Sequence, residues 1–358
     1  MRSKLMSCLA LASALTVLLA PVVADGSDAV EGSFYIDQLD SNGLCVYNEL
    51  DCLISNYESN VTMSVKFEHP VLFETEDAAR EYAQSTVSDA LVAKYLSSPM
   101  IVHLWDLPVT DVIITETLSK SQVSGGVTGT YWSITQVAFD LSMPADITDD
   151  PNTSQNEVAE ILGDIKDECR SMTVAGEGAE KARNIASKLS FVKVVSDEEG
   201  VISNIYDAVC LGKSSPAGIA AAYTYLCQIN GLDAVSVAGD VYEGSKDGTV
   251  GYWNVVNVDG WYAVDVSCTN KGYDGAVMAG SAGEVTKDKT SAVYGIMHYA
   301  NLDIIMENDL LAPSIVRESY DFEEEESFLD KYGLYIFATA ITLIIAVTLY
   351  HGVRTGEL

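Results

Sequence analysis

Thiols and imidazoles are the side chains of this sequence that could carry covalent or proton-transfer chemistry. A cysteine can serve as a nucleophile or a soft metal ligand, and a histidine exchanges a proton near neutral pH. The chain has four histidines and seven cysteines, namely His69, His103, His298, His351, Cys8, Cys45, Cys52, Cys169, Cys210, Cys227 and Cys268. These residues form no CxxC pair and no cysteine-histidine cluster along the chain. The sequence therefore predicts neither a metal site nor a cofactor.

The helices and strands that would position these thiols and imidazoles are most clearly predicted between residues 206 and 269. Ser215 and Pro216 suit the N-cap and first position of a helix that ends at Gly231. A strand is predicted over 232–241, and strands over 251–258 and 261–267 are predicted to form a hairpin around a two-residue Asp259-Gly260 turn. A helix followed by a strand and a hairpin indicates an α+β domain with an antiparallel sheet.

This block resembles the transglutaminase-like superfamily, the papain-like fold shared by transglutaminases and some cysteine proteases. The resemblance rests on segments 212–220, 251–256 and 260–267, which include Gly212-Lys213, Tyr252-Trp253-Asn254 and Trp261 to Asp265. In that family a cysteine opens the helix, a histidine lies on the first hairpin strand and an aspartate lies on the second. The resemblance places Pro216, Gly251 and Asp265 at these three positions.

The resemblance implies a degenerate triad. Acyl transfer needs a thiolate, a histidine that moves the proton and an aspartate that orients the histidine. Pro216 offers no nucleophile and Gly251 offers no base, so we expect a catalytically inactive protein. Its relic groove would bind a peptide, a protein or a surface polymer. The candidate groove residues are Tyr252, Trp253, Asn254 and Trp261.

Two alternatives stay open. The first is a divergent cysteine protease or transglutaminase that uses Cys210 as the thiol and His298 as the base. The second is a structural acidic surface protein with no specific ligand. The register of the hairpin is also open: a two-residue turn places Asp265 opposite Asn254, whereas a bulge would move it to the face of Gly251.

The two ends of the chain predict export and anchoring. Arg2 and Lys4, the apolar run 5–20 and the small residues at 22–24 are typical of a secretory signal, with an uncleaved anchor as the alternative. Residues 332–350 carry no charge and would span about 28 Å as a helix, so they predict a transmembrane segment rather than a core helix. Arg354 follows this run and acidic residues precede it, which predicts a cytoplasmic C-terminus and a cell-surface exterior part.

Composition limits the partners. The chain has 358 residues, 52 of them acidic and 20 basic, with a net charge of −32. Such a surface repels phosphate, so we expect no nucleic-acid partner. Hydrophobic residues make up 48%, enough for a folded core. Asn60 and Asn152 begin glycosylation sequons.

The predicted fold class is α+β. A papain-like core, with a helix packed on an antiparallel sheet, follows a smaller α+β module and precedes one C-terminal transmembrane helix. The predicted divisions are a signal peptide (1–24), a leader (25–33), the N-terminal module (34–150), the transglutaminase-like domain (151–315), an acidic stalk (316–331), the transmembrane helix (332–350) and a tail (351–358). Within the two domains we expect helices over 40–57 and 75–96, a mostly helical stretch over 157–189, strands over 61–67, 109–118 and 129–141, and a linker over 144–156.

Overall fold

The computed structural model describes most of the chain between residues 32 and 322. The described ranges are 32–52, 60–69, 71–102, 115–123, 129–142, 155–195, 204–244, 247–287, 295–322, 337–339 and 341–343. The signal sequence, Asn152 and the tail lie outside them, as does most of 332–350. Within these ranges no helix is both long and apolar enough to cross a membrane.

The first part of the chain forms helices beside a three-stranded antiparallel sheet of order β1-β3-β2. Its elements are α1 (Ser41–Glu49), β1 (Asn60–Lys66), α2 (Glu76–Ser97), α3 (Pro99–Val102), β2 (Thr115–Val123) and β3 (Gly129–Ser142). Side-chain caps set where the two longer helices begin. Asp40 accepts the backbone N–H of Gly43, and Thr75 accepts that of Ala78.

The second part forms a six-stranded sheet of order β10-β11-β6-β7-β8-β9, in which every neighbouring pair is antiparallel. Its strands are β6 (Asp233–Glu243), β7 (Thr249–Asn257), β8 (Trp261–Val264), β9 (Val277–Ala279), β10 (Val285–Thr286) and β11 (Gly295–Ala300). The helices are α4 (Gln155–Ser171), α5 (Gly178–Lys188), α6 (Ile205–Val209), α7 (Pro216–Ile229) and α8 (Val266–Asn270), and strands β4 (Lys193–Val194) and β5 (Lys213–Ser214) form a small parallel pair. Because nearly all of α7 is apolar and buried, it packs against β6 and β7 as the core helix. The mixed helix-and-sheet class is as the sequence predicts.

The prediction that 157–189 is mostly helical is confirmed, with the helical residues divided between α4 and α5. Gly176, in the connection between them, and Gly178, the first residue of α5, have φ angles of 104° and 49°. This left-handed backbone is open to glycine and cannot continue a right-handed helix. The predicted linker over 144–156 lies outside the described residues except for its last two positions, which already belong to α4.

The hairpin between β7 and β8 has a three-residue loop, so the predicted two-residue turn is wrong. Val256 pairs with Tyr262 and Asn257 pairs with Trp261, which leaves residues 258–260 in the loop. The segment around Val316 packs on this end: its N–H donates to the Trp261 carbonyl at 2.9 Å. The register continues past Val264 to place Asp265 beside Trp253, on the face of Gly251 rather than of Asn254.

Contacts cross the predicted domain boundary at 150/151. The Tyr35 hydroxyl donates to the Ser236 carbonyl at 3.0 Å, and the Gln228 amide donates to the Ser97 carbonyl at 2.6 Å. The chain divides into two compact units between Tyr320 and Asp321. The start of the predicted stalk belongs to the first unit, since Tyr320 N–H donates to the Met278 carbonyl at 3.0 Å.

Candidate functional site

The start of α7 is held close to the segment that precedes it. Pro216 takes the first helical position, where a missing N–H costs nothing. Gly218 permits the close approach, because a Cβ there would lie 2.2 Å from Ser214 Oγ and 2.4 Å from the Asn204 carbonyl oxygen. This packing fixes where the end of α7 meets the sheet.

A cavity of about 280 Å³ lies where this helix end faces the sheet. Pro216, Gly251 and Asp265 all line it, together with Tyr252, Ser267 and Cys268. The structure therefore brings together the three positions that the resemblance singled out. Neither Pro216 nor Gly251 carries a group that could attack a carbonyl or accept a proton.

Asp265 is the centre of a hydrogen-bonded cluster. It caps α8 through Oδ1, which accepts the Cys268 N–H at 2.8 Å and the Ser267 hydroxyl at 2.6 Å. Its other oxygen, Oδ2, lies 2.8 Å from His298 Nε2 and accepts the Cys268 thiol at 2.9 Å. The imidazole that pairs with this aspartate therefore comes from β11 and not from β7.

The surroundings of Gly251 show why β7 carries no imidazole. A Cβ at Gly251 would lie 2.3 Å from Val241 Cγ2, so the Val241 side chain fills the space where a longer residue would begin. Val241 pairs directly with His298 across β6 and β11. The His298 ring also packs edge-on against Trp253, with 5.0 Å between ring centroids. Val241 and Trp253 thus support the ring of His298.

The cluster shifts the pKa of its carboxyl group and that of its thiol in opposite directions. Burial alone would raise the pKa of Asp265, but the hydrogen bond and charge of His298, with hydrogen bonds from Cys268 and Ser267, lower it. Burial, followed by the charge of Asp265, raises the pKa of Cys268 far above its usual range. The arrangement can orient an imidazole, while its thiol acts as a hydrogen-bond donor.

Cys210, the thiol expected in the alternative enzyme, lies elsewhere. It ends α6, and the described residues that line the cavity do not include it. Burial, with the charges of Asp164 and Glu168, raises its pKa to about 11. The thiol that contacts the Asp265–His298 pair is that of Cys268, which was not among the residues predicted for the site. The spacing of Asp265 and Cys268, three residues apart at a helix N-cap, is the signal that could have found it.

The four predicted groove residues occupy different environments. Tyr252 lines the cavity, and Trp253 is buried beside His298. Asn254 is buried on the opposite face, where its amide donates to the Ala220 carbonyl at 2.9 Å and to Thr224 Oγ1 at 2.8 Å. Trp261 packs edge-to-face on Phe34, with 5.4 Å between ring centroids. Of the four, Tyr252 is therefore the residue placed to touch a ligand in this cavity.

Comparison with known proteins gives structural neighbours alone, since no family model and no curated protein matches the chain. One neighbour is a TGase, with 11% identity and a TM-score of 0.28 over 58% of this chain and 51% of that one. Another is a "putative protease" from Parabacteroides distasonis, with 12% identity and a TM-score of 0.24 over 63% of this chain and 42% of that one. A third is a "putative cysteine protease" from Cytophaga hutchinsonii, with 12% identity and a TM-score of 0.26 over 59% of this chain and 81% of that one. The chain spans about half the length of the first two.

Proposed function

We propose that this protein is a binding protein of transglutaminase-like architecture that recognises a polypeptide or surface polymer without acyl transfer. The observation that carries the proposal is the cavity itself. It brings Pro216, Gly251 and Asp265 together, yet the first two supply neither nucleophile nor base. A cavity whose expected nucleophile and base positions carry no reactive side chain favours recognition over turnover.

The size of the cavity limits the ligand. At about 280 Å³ it lies just below the usual range for small-molecule sites, roughly 300–1,000 Å³. It suits one or two side chains, or the end of a longer chain, better than a free cofactor. Tyr252, partly exposed on its wall, offers an aromatic surface for such a group.

Two exposed lysines on the wall of the cavity could attract an anionic group. Of the acidic residues of the cavity, Glu243 accepts a hydrogen bond from Tyr273, and Asp265 is engaged by His298. Lys271 and Lys287 are exposed and line the same cavity, although basic residues are scarce in this acidic chain. A C-terminal carboxylate of a peptide is the simplest group that both lysines could attract.

A peptide library tests the binding proposal on the full-length chain in detergent. Immobilised pentapeptides with free C-termini are compared with the same peptides amidated. We expect a subset of free-acid peptides to bind, with at least a tenfold loss in the Lys271→Gln/Lys287→Gln variant. Lys188→Gln, an exposed lysine on α5, is the matched control and should bind normally. Equal binding by the double variant would contradict the proposal.

The localisation of the protein is proposed from its first 24 residues and from residues 332–350. We infer a single-pass surface protein, with residues 25–331 outside the cell and the C-terminus inside, because a secretory signal and an apolar run of membrane length bracket the chain. Protease treatment of intact cells is the test. Degradation of the acidic exterior part with protection of an epitope at the C-terminus is expected, whereas full protection of the whole chain would reject this topology.

A second candidate function is a thiol enzyme built on Cys268. The observation in its favour is that His298 and Cys268 both contact Asp265 Oδ2. It predicts incorporation of a fluorescent primary amine into glutamine peptides, or peptide hydrolysis, that disappears in Cys268→Ser and persists in Cys210→Ser. The raised pKa of Cys268 opposes this function, and we expect no turnover in either assay.

A further inference from the structure

We propose that Asp265, Cys268 and His298 form a three-ligand site for a divalent transition-metal ion, with zinc as the best fit. One ligand atom from each residue, a carboxylate oxygen, Sγ and a ring nitrogen, lies within 4.8 Å of the other two. Residues of these three types are the ordinary protein ligands of zinc. The site goes beyond the proposed binding function and does not depend on it.

Two of the three spacings between ligand atoms are somewhat shorter than in a tetrahedral zinc site, and the third is within 4.8 Å. Ligand bonds of about 2.0–2.3 Å place neighbouring donor atoms roughly 3.3–3.6 Å apart. Here Oδ2 of Asp265 lies 2.8 Å from the His298 nitrogen and 2.9 Å from the Cys268 sulfur. An ion between them would replace these two hydrogen bonds after movements of under about 1 Å. Such movements fall within ordinary side-chain adjustment.

The hydrogen bonds that orient the Asp265 carboxylate involve Oδ1 and leave Oδ2 available for a metal ion. Oδ1 of Asp265 accepts the Cys268 N–H and the Ser267 hydroxyl, which hold the carboxylate in one orientation. Oδ2 is directed toward both the thiol and the imidazole. Metal ligands are commonly oriented by hydrogen bonds of this kind, whose loss weakens metal binding by about 10–100-fold. The His298 ring is likewise held by Trp253.

Charge and burial also suit a divalent cation. Asp265 and Cys268 are almost wholly buried and the His298 side chain is 13% exposed. A carboxylate and a thiolate together would neutralise the two positive charges of zinc in this interior. Asp265 and Cys268 line the cavity, so an ion there could be reached from it. Three protein ligands leave a fourth position for water or an oxygen of a ligand.

The test is a metal titration of the full-length protein in detergent, after removal of metal with a chelator. Zinc is added in competition with a chromophoric chelator, and cobalt is added to detect thiolate ligation from its charge-transfer absorption. We expect one ion per chain, a cobalt-thiolate band, and at least about a 100-fold loss of affinity in Cys268→Ser and His298→Ala. Ser267→Ala, which removes an orienting contact, should lose about 10-fold.

Control variants make the outcome decisive. Cys210→Ser removes a thiol outside the cavity and should bind zinc as the parent does. Circular dichroism checks that each variant is folded. Zinc binding of unchanged affinity in Cys268→Ser or in His298→Ala would overturn the site.

Discussion

His298 and Asp265 are hydrogen-bonded across 2.8 Å, although 33 residues separate them in the sequence. The aspartate follows the second strand of the hairpin as the N-cap of α8, and the histidine lies on β11, outside the hairpin. The pair thus has an aspartate that orients an imidazole, and this imidazole comes from β11 rather than from β7. No thiol stands at the start of α7 to use it, because Pro216 is there.

The crowding at Gly251 gives a first prediction. Gly251→Ala should lower the free energy of unfolding by about 1–3 kcal/mol, because its new methyl group would meet Val241 Cγ2 at 2.3 Å. Adding Val241→Ala should reduce that cost, so the two effects are not additive. Urea unfolding measures all three variants.

A second glycine supplies the matched control. Gly163 lies inside α4, and a Cβ there would meet nothing within 4 Å. Gly163→Ala should therefore stabilise the chain by about 0.5–1 kcal/mol. If Gly251→Ala proved as harmless as Gly163→Ala, the explanation of why β7 carries no imidazole would fail.

Local sequence patterns predicted the helices and strands better than they predicted the residues of the candidate site. The helix starts predicted near residues 40, 75 and 215 agree within a residue with the N-cap positions Asp40, Thr75 and Ser215, because a helix start depends on neighbours in sequence. The hairpin loop could not be settled locally, since the segment around Val316 packs on it from about 55 residues away. A shift of one residue then decided which face Asp265 occupies.

The pairing of His298 with Asp265 was beyond sequence patterns for the same reason. It requires the order β11-β6-β7-β8 within the sheet, which brings a late strand beside an early one. Family spacing directed attention to Pro216 for the thiol and to Gly251 for the base, and the alternative enzyme paired Cys210 with His298. The spacing of Asp265 and Cys268 is typical of an N-cap, but that pattern does not place the Cys268 thiol beside His298, since the histidine reaches it only through the order of the strands.

The thiols provide the second prediction. Cys210 should be alkylated slowly at pH 7, because a pKa of about 11 leaves only ~10⁻⁴ of it as thiolate, against a few per cent for an ordinary cysteine. Cys268 should be slow as well, being buried and bonded to Asp265. Timed alkylation with mass spectrometry from pH 5 to 8 measures both, with the urea-unfolded chain as the control. A fast-reacting Cys268 at pH 6 would instead favour the thiol enzyme.

Asn254 gives the third prediction, which separates stability from binding. Asn254→Ala should lower the free energy of unfolding by about 2–3 kcal/mol, since it leaves the Ala220 carbonyl and Thr224 hydroxyl without their buried amide partner. Asn257→Ala, an exposed position on the same strand, should cost under about 0.5 kcal/mol. At temperatures where both variants are folded, peptide binding should be unchanged. Selective loss of binding in Asn254→Ala would place that residue in the groove after all.

The pairing of Asp89 with Asp309 gives the fourth prediction, which concerns pH. Asp89 Oδ1 accepts the Asp309 N–H at 2.8 Å, and burial, aided by the charge of Asp309, raises the pKa of Asp89 above its usual 3.8. A raised carboxyl pKa means that the folded state holds the proton more tightly than the unfolded state. The stabilisation that the Asp89 carboxyl contributes is fully present below pH about 3.8, and it is lost as pH rises through the pKa of Asp89 in the folded state.

Asp89→Asn should therefore stabilise the protein at pH 7, by up to about 1 kcal/mol, because an amide oxygen can still accept the Asp309 N–H without the charge. The gain should disappear near pH 4, where the native carboxyl is itself becoming protonated. Thermal unfolding at pH 4 and pH 7 measures the difference. Asp303→Asn removes an exposed charge from the same region and should show no such dependence on pH. If both variants gained equally at pH 7, relief of the overall negative charge would explain the effect, and the buried position of Asp89 would not.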